Sequence, residues 1–173
     1  MQLFVRLGVL LNQEVLYWEK RKASIRVLVV DDYEPWRRFL STTLQKELEL
    51  HIIGEGCDGL EAVHKAEELQ PDLILLDIGL PTLNGIEASR RIRKLSRAAK
   101  IVFVSENRSR EIAQEALSTG ARGYIVKSDV ASELARAVHA VLKASDLSAP
   151  ACLTSSLALP IRSLALAFRA TIL

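Results

Sequence analysis

Five polar side chains suited to phosphoryl chemistry follow short apolar runs of the sequence: Asp31, Asp32, Asp77, Ser105 and Lys127. Apolar runs of this length, rich in Val, Ile and Leu, are typical of strands that are buried on both faces of a parallel sheet. In such sheets, ligands bind outside the carboxyl ends of the strands. We therefore expect these five side chains to line one cleft.

Three carboxylates in one cleft would repel one another. Two like unit charges about 4 Å apart repel by roughly 4 kcal/mol at an effective dielectric constant of about 20. Either one carboxylate stays protonated or a cation neutralises the cluster. Oxygen ligands without a nearby Cys or His favour a hard ion, and Mg²⁺ is the usual ion beside phosphate. With an ammonium and a hydroxyl to hold phosphoryl oxygens, the set has the parts that phosphoryl transfer to an aspartate requires.

The elements that would position these groups alternate between strand and helix patterns. Near-continuous apolar runs predict five strands, at residues 26–30, 51–54, 73–76, 101–104 and 123–126. Amphipathic stretches predict five helices, at residues 35–47, 60–69, 86–95, 112–118 and 133–143. Strict alternation of the two predicts an α/β fold with a doubly wound, five-stranded parallel sheet and right-handed crossovers.

Composition limits the classes of protein that the chain can be. Its 173 residues suit one domain with extra segments, and 49% hydrophobic with 25% charged residues allows both a core and a polar surface. A net charge of +2 is too weak to imply a nucleic-acid or membrane partner. Cys57 and Cys152 lack metal-ligand spacing, and no apolar run reaches the roughly 20 residues of a membrane span. We expect a reducing, cytoplasmic location.

Four segments of the sequence resemble the receiver domains of two-component response regulators: VLVVDDYEPWRRFL, DLILLDIGLPTLNGIE, IVFVSE and GARGYIVKSD. The resemblance covers residues 25–145 and implies a (βα)5 flavodoxin-like receiver fold. It implies that Asp77 is the phosphoacceptor. The implied ligands of Mg²⁺ are the side chains of Asp32, which binds directly, Asp31, which binds largely through water, and Asp77, with the backbone carbonyl of Gly79.

The resemblance also assigns roles to the later strand ends. Ser105 and Lys127 would hold the phosphoryl group, and Tyr124 matches the aromatic residue that rotates inward after phosphorylation, so Ser105 and Tyr124 would form the switch. Two positions depart from the family pattern. Ser128 follows the lysine where Pro is common, so we expect a trans bond there, because a non-Pro cis bond costs about 3 kcal/mol. Glu106 stands where a small residue is common.

The function that the resemblance implies is a signalling switch that catalyses only its own phosphorylation and dephosphorylation. Its implied partners are a sensor histidine kinase or phosphotransfer protein and a downstream protein. A homodimer through the last two strands and helices is a further expectation, and specific nucleic-acid binding is not expected. The segment GARGYIVKSD most resembles the subfamily that usually carries a C-terminal helix-turn-helix.

The two ends of the sequence differ from its middle. We expect residues 1–24 to form an N-terminal extension, helical or disordered, and residues 146–173 to form a tail without a recognisable output domain. After Asp146 the tail contains only Arg162 and Arg169 as charged residues. Neither end contains a pattern that predicts a strand, a phosphate-binding loop or a recognition helix.

Two alternative functions stay open on the sequence. A phosphatase of the haloacid dehalogenase type also uses a strand-end aspartate, but it needs a second acid two residues on, where this sequence has Gly79. A receiver-shaped interaction protein could keep every site residue without being phosphorylated. Ordinary interpretations also exist for single features, since aspartates often cap helices and turns. The basic cluster between Arg90 and Lys100 is typical of a solvated helix face.

Overall fold

The structure is a computed structural model that describes residues 24–46, 49–143 and 151–152 of the chain. Its elements in chain order are β1 (Ile25–Val30), α1 (Glu34–Leu44), β2 (Leu50–Gly56), α2 (Gly59–Leu69), β3 (Leu73–Leu76), α3 (Gly85–Leu95), β4 (Lys100–Ser105), α4 (Arg110–Ser118), β5 (Gly123–Val126), α5 (Val130–Lys143) and β6 (Ala151–Cys152). A short 3-10 turn, Lys127–Asp129, joins β5 to α5. Among the described residues, no helix combines the length and the apolar content that a membrane span needs.

The strands form one parallel sheet in the order β2-β1-β3-β4-β5-β6. The first five strands and the five helices confirm the predicted doubly wound, flavodoxin-like fold. The two residues of β6 extend the sheet, because Ala151 pairs with Gly123 and Cys152 pairs with Tyr124. The prediction that the tail contains no strand is therefore wrong. A strand of two residues is too short to show the periodicity on which the prediction depended.

Apolar side chains on the two faces of the sheet pack against separate helix layers. Alternate residues of β1 point to opposite faces, with Leu28 and Val30 in one core and Val27 and Val29 in the other. The first core is covered by α2, α3 and α4, and the second by α1 and α5. Burial on both faces explains why the strands are almost continuously apolar.

Several helices begin before the first residue that their apolar periodicity marks. Helix α4 begins at Arg110, after Ser109, whose hydroxyl accepts a hydrogen bond from the N–H of Ile112 (3.3 Å). Helix α5 begins at Val130, directly after the 3-10 turn. Leu60, in the first turn of α2, is 47% exposed although it is apolar. The first turn of a helix is determined by caps, which apolar spacing does not show.

Candidate functional site

The carboxyl ends of β1, β3, β4 and β5 border a cleft of about 770 Å³. The residues that line it are Asp32, Tyr33, Trp36, Asp77, Ile78, Gly79, Ser105, Glu106, Asn107, Lys127 and Ser128. All of the expected strand-end residues are in this set except Asp31, which is buried beside it and contacts Lys127. The structure thus brings the five strand-end polar residues together, as predicted.

Asp77 follows the last residue of β3, and its carboxylate is almost fully buried. Oδ1 accepts a hydrogen bond from the N–H of Ile78 (2.7 Å), and Oδ2 accepts one from Nζ of Lys127 (3.0 Å). The N–H of Asp77 donates to the carbonyl oxygen of Val30 (2.9 Å), which ties the residue to β1. The carboxylate is therefore held in one orientation on the wall of the cleft.

The backbone of Asp77 is held by the first residue of α3. A Cβ atom at Gly85 would lie 1.9 Å from the carbonyl oxygen of Asp77, so the helix can come this close only because residue 85 is glycine. The N–H of Gly85 also donates to the carbonyl oxygen of Ile78 (3.0 Å). Gly79 differs, because a Cβ atom there would lie 3.7 Å from Oδ2 of Asp77, an ordinary contact distance.

Lys127 joins two buried carboxylates. Its Nζ lies 2.6 Å from Oδ2 of Asp31 and 3.0 Å from Oδ2 of Asp77. Burial opposes the charge on this ammonium, but hydrogen bonds and charges of the two carboxylates outweigh burial and raise the pKa of Lys127. The ring centroid of Trp36 lies 5.6 Å from Nζ, within the range of a cation–π contact. The ammonium is therefore charged and fixed between its partners.

Each carboxylate oxygen of Asp31 has a polar partner. Oδ1 accepts a hydrogen bond from the N–H of Tyr33 (3.0 Å). Oδ2 lies 2.6 Å from the ammonium of Lys127, which is its one polar partner among the described residues. Burial raises the pKa of Asp31, although Lys127 acts in the opposite direction. A carboxylate oxygen with one such partner keeps a second lone pair that can bind a cation.

The acidic residues of the cleft fit Mg²⁺. Carboxylate oxygens of Asp31, Asp32 and Asp77 lie within 4.8 Å of one another. All three are hard oxygen donors, which Mg²⁺ prefers. Asp32 is exposed, so solvent reaches the cluster, which suits an ion that usually keeps several of its waters. Gly79, the fourth expected ligand, lines the same cleft.

Ser105 and Tyr124 are connected through the loop that follows β4. The hydroxyl oxygen of Ser105 accepts a hydrogen bond from the N–H of Asn107 (3.2 Å). The ring of Tyr124 is fully buried, and its hydroxyl donates to the carbonyl oxygen of Asn107 (2.8 Å). Sequence patterns identify Ser105 and Tyr124 but not Asn107, because Asn107 makes both contacts through its backbone.

Both residues that depart from the family pattern, Glu106 and Ser128, line the cleft. The bond between Lys127 and Ser128 is trans, as predicted, and the described residues contain no cis peptide bond. The hydroxyl of Ser128 accepts a hydrogen bond from Arg108 (2.9 Å) and donates one to Asp129 (2.8 Å). The loops after β4 and β5 are therefore connected beside the cleft.

The basic cluster between Arg90 and Lys100 makes contacts within the protein. Arg90 forms an ion pair with Glu115 of α4 (3.1 Å). Nζ of Lys100 donates to the carbonyl oxygen of Val141 (3.1 Å), near the end of α5, where a cation is favourable. Arg90 thus lies on an exposed helix face, as the ordinary interpretation predicts, whereas Lys100 begins β4 and binds the end of α5.

The parallel α/β sheet and the acidic cleft at its carboxyl edge define the class of protein as a flavodoxin-like receiver. Residues 27–139 match the response regulator receiver domain family. The chain therefore belongs to this family, whose receiver domains are signalling switches of two-component systems. The resemblance found in the sequence is confirmed.

Individual relatives agree with this assignment. The response regulator protein VraR from Staphylococcus epidermidis is 37% identical over 116 residues, which are 67% of this chain and 56% of VraR. The chain thus spans about half the length of the curated relatives that it matches. A LuxR-family two-component response regulator from Aurantimonas sp. SI85-9A1 has a TM-score of 0.72 and 28% identity, over 83% of this chain and 99% of that chain. The response regulator domain of Thermotoga maritima CheB has a TM-score of 0.66 and 36% identity, over 70% of this chain and 98% of that chain.

Proposed function

We propose that the protein is a phosphoacceptor switch of a cytoplasmic two-component system, phosphorylated on Asp77. The donor in this proposal is a phosphohistidine of a sensor histidine kinase or of a phosphotransfer protein. One observation carries the proposal: the buried carboxylate of Asp77 lies 3.0 Å from the ammonium of Lys127, in the cleft that also holds Asp32 and Ser105. A nucleophile, a cation and a hydroxyl donor therefore share one cleft, as phosphoryl transfer to an aspartate requires.

The proposed reaction exchanges one bond to phosphorus for another. A carboxylate oxygen of Asp77 attacks the phosphorus atom while the bond from phosphorus to the histidine nitrogen breaks, and the imidazole leaves with the electron pair of that bond. The product is an acyl phosphate on Asp77. Attack by water on the same phosphorus later breaks its bond to the carboxylate oxygen, which releases inorganic phosphate and restores the carboxylate. Lys127 and the hydroxyl of Ser105 stabilise the negative charge on the transferred group.

The metal ligands in this proposal are the carboxylates of Asp31, Asp32 and Asp77 and the backbone carbonyl of Gly79. Bound Mg²⁺ supplies positive charge that lowers both the repulsion among the carboxylates and the repulsion between them and the phosphoryl group. The close grouping of the three carboxylates, with oxygens within 4.8 Å of one another, supports this ligand set.

The proposed switch connects the new charge to the loop after β4. A phosphoryl group adds about −1.5 to −2 charge, and it attracts both Lys127 and the hydroxyl of Ser105. In doing so, Ser105 gives up or reorients its contact with Asn107, to which Tyr124 is also hydrogen-bonded. The face formed by β4, β5, α4 and α5 then changes, and with it the binding of a downstream protein.

Labelling with a small phosphodonor tests the assignment. Acetyl phosphate plus Mg²⁺ should add one base-labile phosphoryl group to the protein, detected by intact-mass spectrometry. Asp77→Asn should abolish the addition, because an amide is not a nucleophile. Asp72→Asn is the matched control, because Asp72 is an exposed acid that precedes the amino end of β3, whereas Asp77 follows its carboxyl end. This variant should be labelled like the wild type.

Two outcomes would overturn the proposal. Labelling of Asp77→Asn at the wild-type rate would show that another residue is the acceptor. A wild-type protein that takes up no phosphoryl group from acetyl phosphate, and none from a phosphorylated kinase, would favour the interaction protein that functions without phosphate. The phosphatase alternative predicts turnover of a separate phosphomonoester, which the same preparation should lack.

A further inference from the structure

Arg37 lies near the start of α1 and contacts the loop that carries the first two acids. Its Nη1 donates to the carbonyl oxygen of Asp31 (2.7 Å) and to that of Asp32 (3.3 Å). Its Nε lies 3.6 Å from Oε2 of Glu55 on β2, and the arginine side chain is only 15% exposed. One guanidinium thus connects α1, β2 and the backbone of both acids.

These contacts bear on where the two carboxylates point. Adjacent residues of an extended chain place their side chains on opposite sides, so Asp31 and Asp32 reach one cluster only if the backbone turns between them. Oδ1 of Asp31 holds this turn by accepting the N–H of Tyr33. Arg37 holds it by fixing both carbonyl oxygens, and the orientation of these peptide groups determines where the carboxylates project.

Glu55 keeps the guanidinium in place. The hydroxyl of Ser41 donates to Oε1 of Glu55 (2.8 Å), and Nζ of Lys65 donates to its backbone carbonyl oxygen. Because Glu55 largely neutralises Arg37, the arginine does not cancel the negative potential that attracts a cation to the cleft. The arrangement therefore orients the acids without opposing metal binding.

We propose that Arg37 is a positioning residue for the metal site, which it serves by holding the backbone of Asp31 and Asp32 without touching the ion. The inference rests on the proposed function, since it requires that these two acids bind Mg²⁺. Loss of a group that orients metal ligands typically weakens metal binding about 10- to 100-fold. We expect Arg37→Ala to raise the dissociation constant for Mg²⁺ at least about 10-fold.

Calorimetric titration of the full chain with MgCl₂ tests the inference. Arg37→Ala is compared with Arg38→Ala, the matched control, because Arg38 is the next residue of the helix and forms an exposed ion pair with Glu34 (2.6 Å). The control should bind Mg²⁺ like the wild type. Arg37→Lys should be intermediate, because an ammonium is a point charge that lacks the fork of a guanidinium. Thermal melts without Mg²⁺ establish that each variant is folded.

The outcomes separate positioning from general stability. A folded Arg37→Ala variant with the wild-type dissociation constant would overturn the inference, and so would equal weakening in Arg37→Ala and Arg38→Ala. If Arg37→Ala does not fold, Arg37→Lys and Glu55→Gln decide: weakened Mg²⁺ binding in both supports the inference, and unchanged binding in both overturns it. A wild-type protein that binds no Mg²⁺ would instead contradict the proposed function itself.

Discussion

Lys127 is the residue on which the electrostatics of the cleft depend. Without it, the carboxylates of Asp31 and Asp77 would be buried close together with no cation between them. Burial alone already raises the pKa of Asp31. Lys127 acts against this effect of burial, because its hydrogen bond and its positive charge lower the pKa of Asp31.

Asp32 is the site acid whose removal should disturb the fold least, because it is exposed. Mg²⁺ should raise the melting temperature of the wild type, since a ligand at 100 times its dissociation constant adds about 2.7 kcal/mol to stability. For a domain of this size that is roughly 10 °C. Asp32→Ala should lose most of this shift in a thermal melt. Equal shifts in the two proteins would mean that Mg²⁺ binds elsewhere.

Lys127→Ala should separate phosphorylation from the conformational change. The nucleophile is retained, so some labelling of Asp77 should persist, but no cation then links the phosphoryl group to β5. In NMR spectra, beryllofluoride with Mg²⁺ should shift the amide signals of Ser105 and Tyr124 in the wild type and much less in Lys127→Ala. Lys94→Ala, which removes an exposed lysine of α3, should respond like the wild type. Equal responses in Lys127→Ala and the wild type would contradict the role of Lys127.

At the residue scale, the sequence predicts groups at strand ends better than groups brought there by helices. Asp77 and Lys127 directly follow buried strands, and in a parallel sheet the residues that follow the strands lie at one edge. Trp36 and Arg37 reach the cleft and its acidic loop from α1. Their positions depend on the rotation of the helix against the sheet, which the packing of Leu40 and Leu44 determines and the apolar spacing alone does not.

Helix α2 shows how an element can gather metal-binding residue types for a structural purpose. Cys57, Asp58 and Glu61 place ligand atoms within 4.8 Å of one another. Oδ1 of Asp58 accepts the N–H groups of Leu60 (2.7 Å) and Glu61 (2.9 Å), and the carboxylate of Glu61 accepts the N–H of Cys57 (2.7 Å). These reciprocal bonds resemble a capping box, so the carboxylates are already occupied by the helix start.

The state of Glu61 should make the stability of the domain depend on pH. The hydrogen bond from Lys65 and that from the N–H of Cys57 lower the pKa of Glu61 from 4.5 to about 2. Because the folded state favours the ionised form, this contribution is present above pH 4.5 and is lost as the pH falls towards about 2. Glu61→Gln should therefore be less stable than the wild type at neutral pH, and the difference should shrink over this range.

Urea denaturation across the acid range measures this difference. Glu67→Gln is the control, because Glu67 is an exposed acid of the same helix. Its difference from the wild type should change little over the same range. A difference between Glu61→Gln and the wild type that stays constant with pH would show that the ionised hydrogen bonds of Glu61 do not contribute to stability.

At the scale of elements, the prediction succeeded where burial imposes a pattern and failed where it does not. Strand β3, with all four residues from Leu73 to Leu76 buried, was visible as a continuous apolar run. Strand β6 gives no such apolar run, because two residues that add backbone hydrogen bonds at a sheet edge need no particular side chains. The start of α5 at Val130 was missed for the related reason that turn geometry, rather than apolar spacing, determines it.

At the scale of the whole molecule, we predict that part of the chain is sufficient for folding and phosphorylation. We expect a shortened chain of residues 25–145 to fold cooperatively and to be phosphorylated like the full chain, because it contains five strands, five helices and every residue of the cleft. A chain of residues 25–152 adds β6 and should be more stable by about 1–2 kcal/mol, the net value of one or two backbone hydrogen bonds. Circular dichroism melts and acetyl phosphate labelling compare the two. Failure of residues 25–145 to fold would place the domain boundary further along the chain.

The close approach of α3 to Asp77 also limits which amino-acid substitutions this protein can tolerate during evolution. Every amino-acid substitution of a glycine adds a Cβ atom. At Gly85 that atom would lie 1.9 Å from the carbonyl oxygen of Asp77 and would overlap it. At Gly79 the same atom would meet Asp77 at an ordinary 3.7 Å, and any residue supplies the backbone carbonyl that Mg²⁺ would use there. In a saturation library sorted for folded protein, position 85 should therefore retain almost only glycine. Position 79, which lies six positions earlier beside the same aspartate, should accept many residue types.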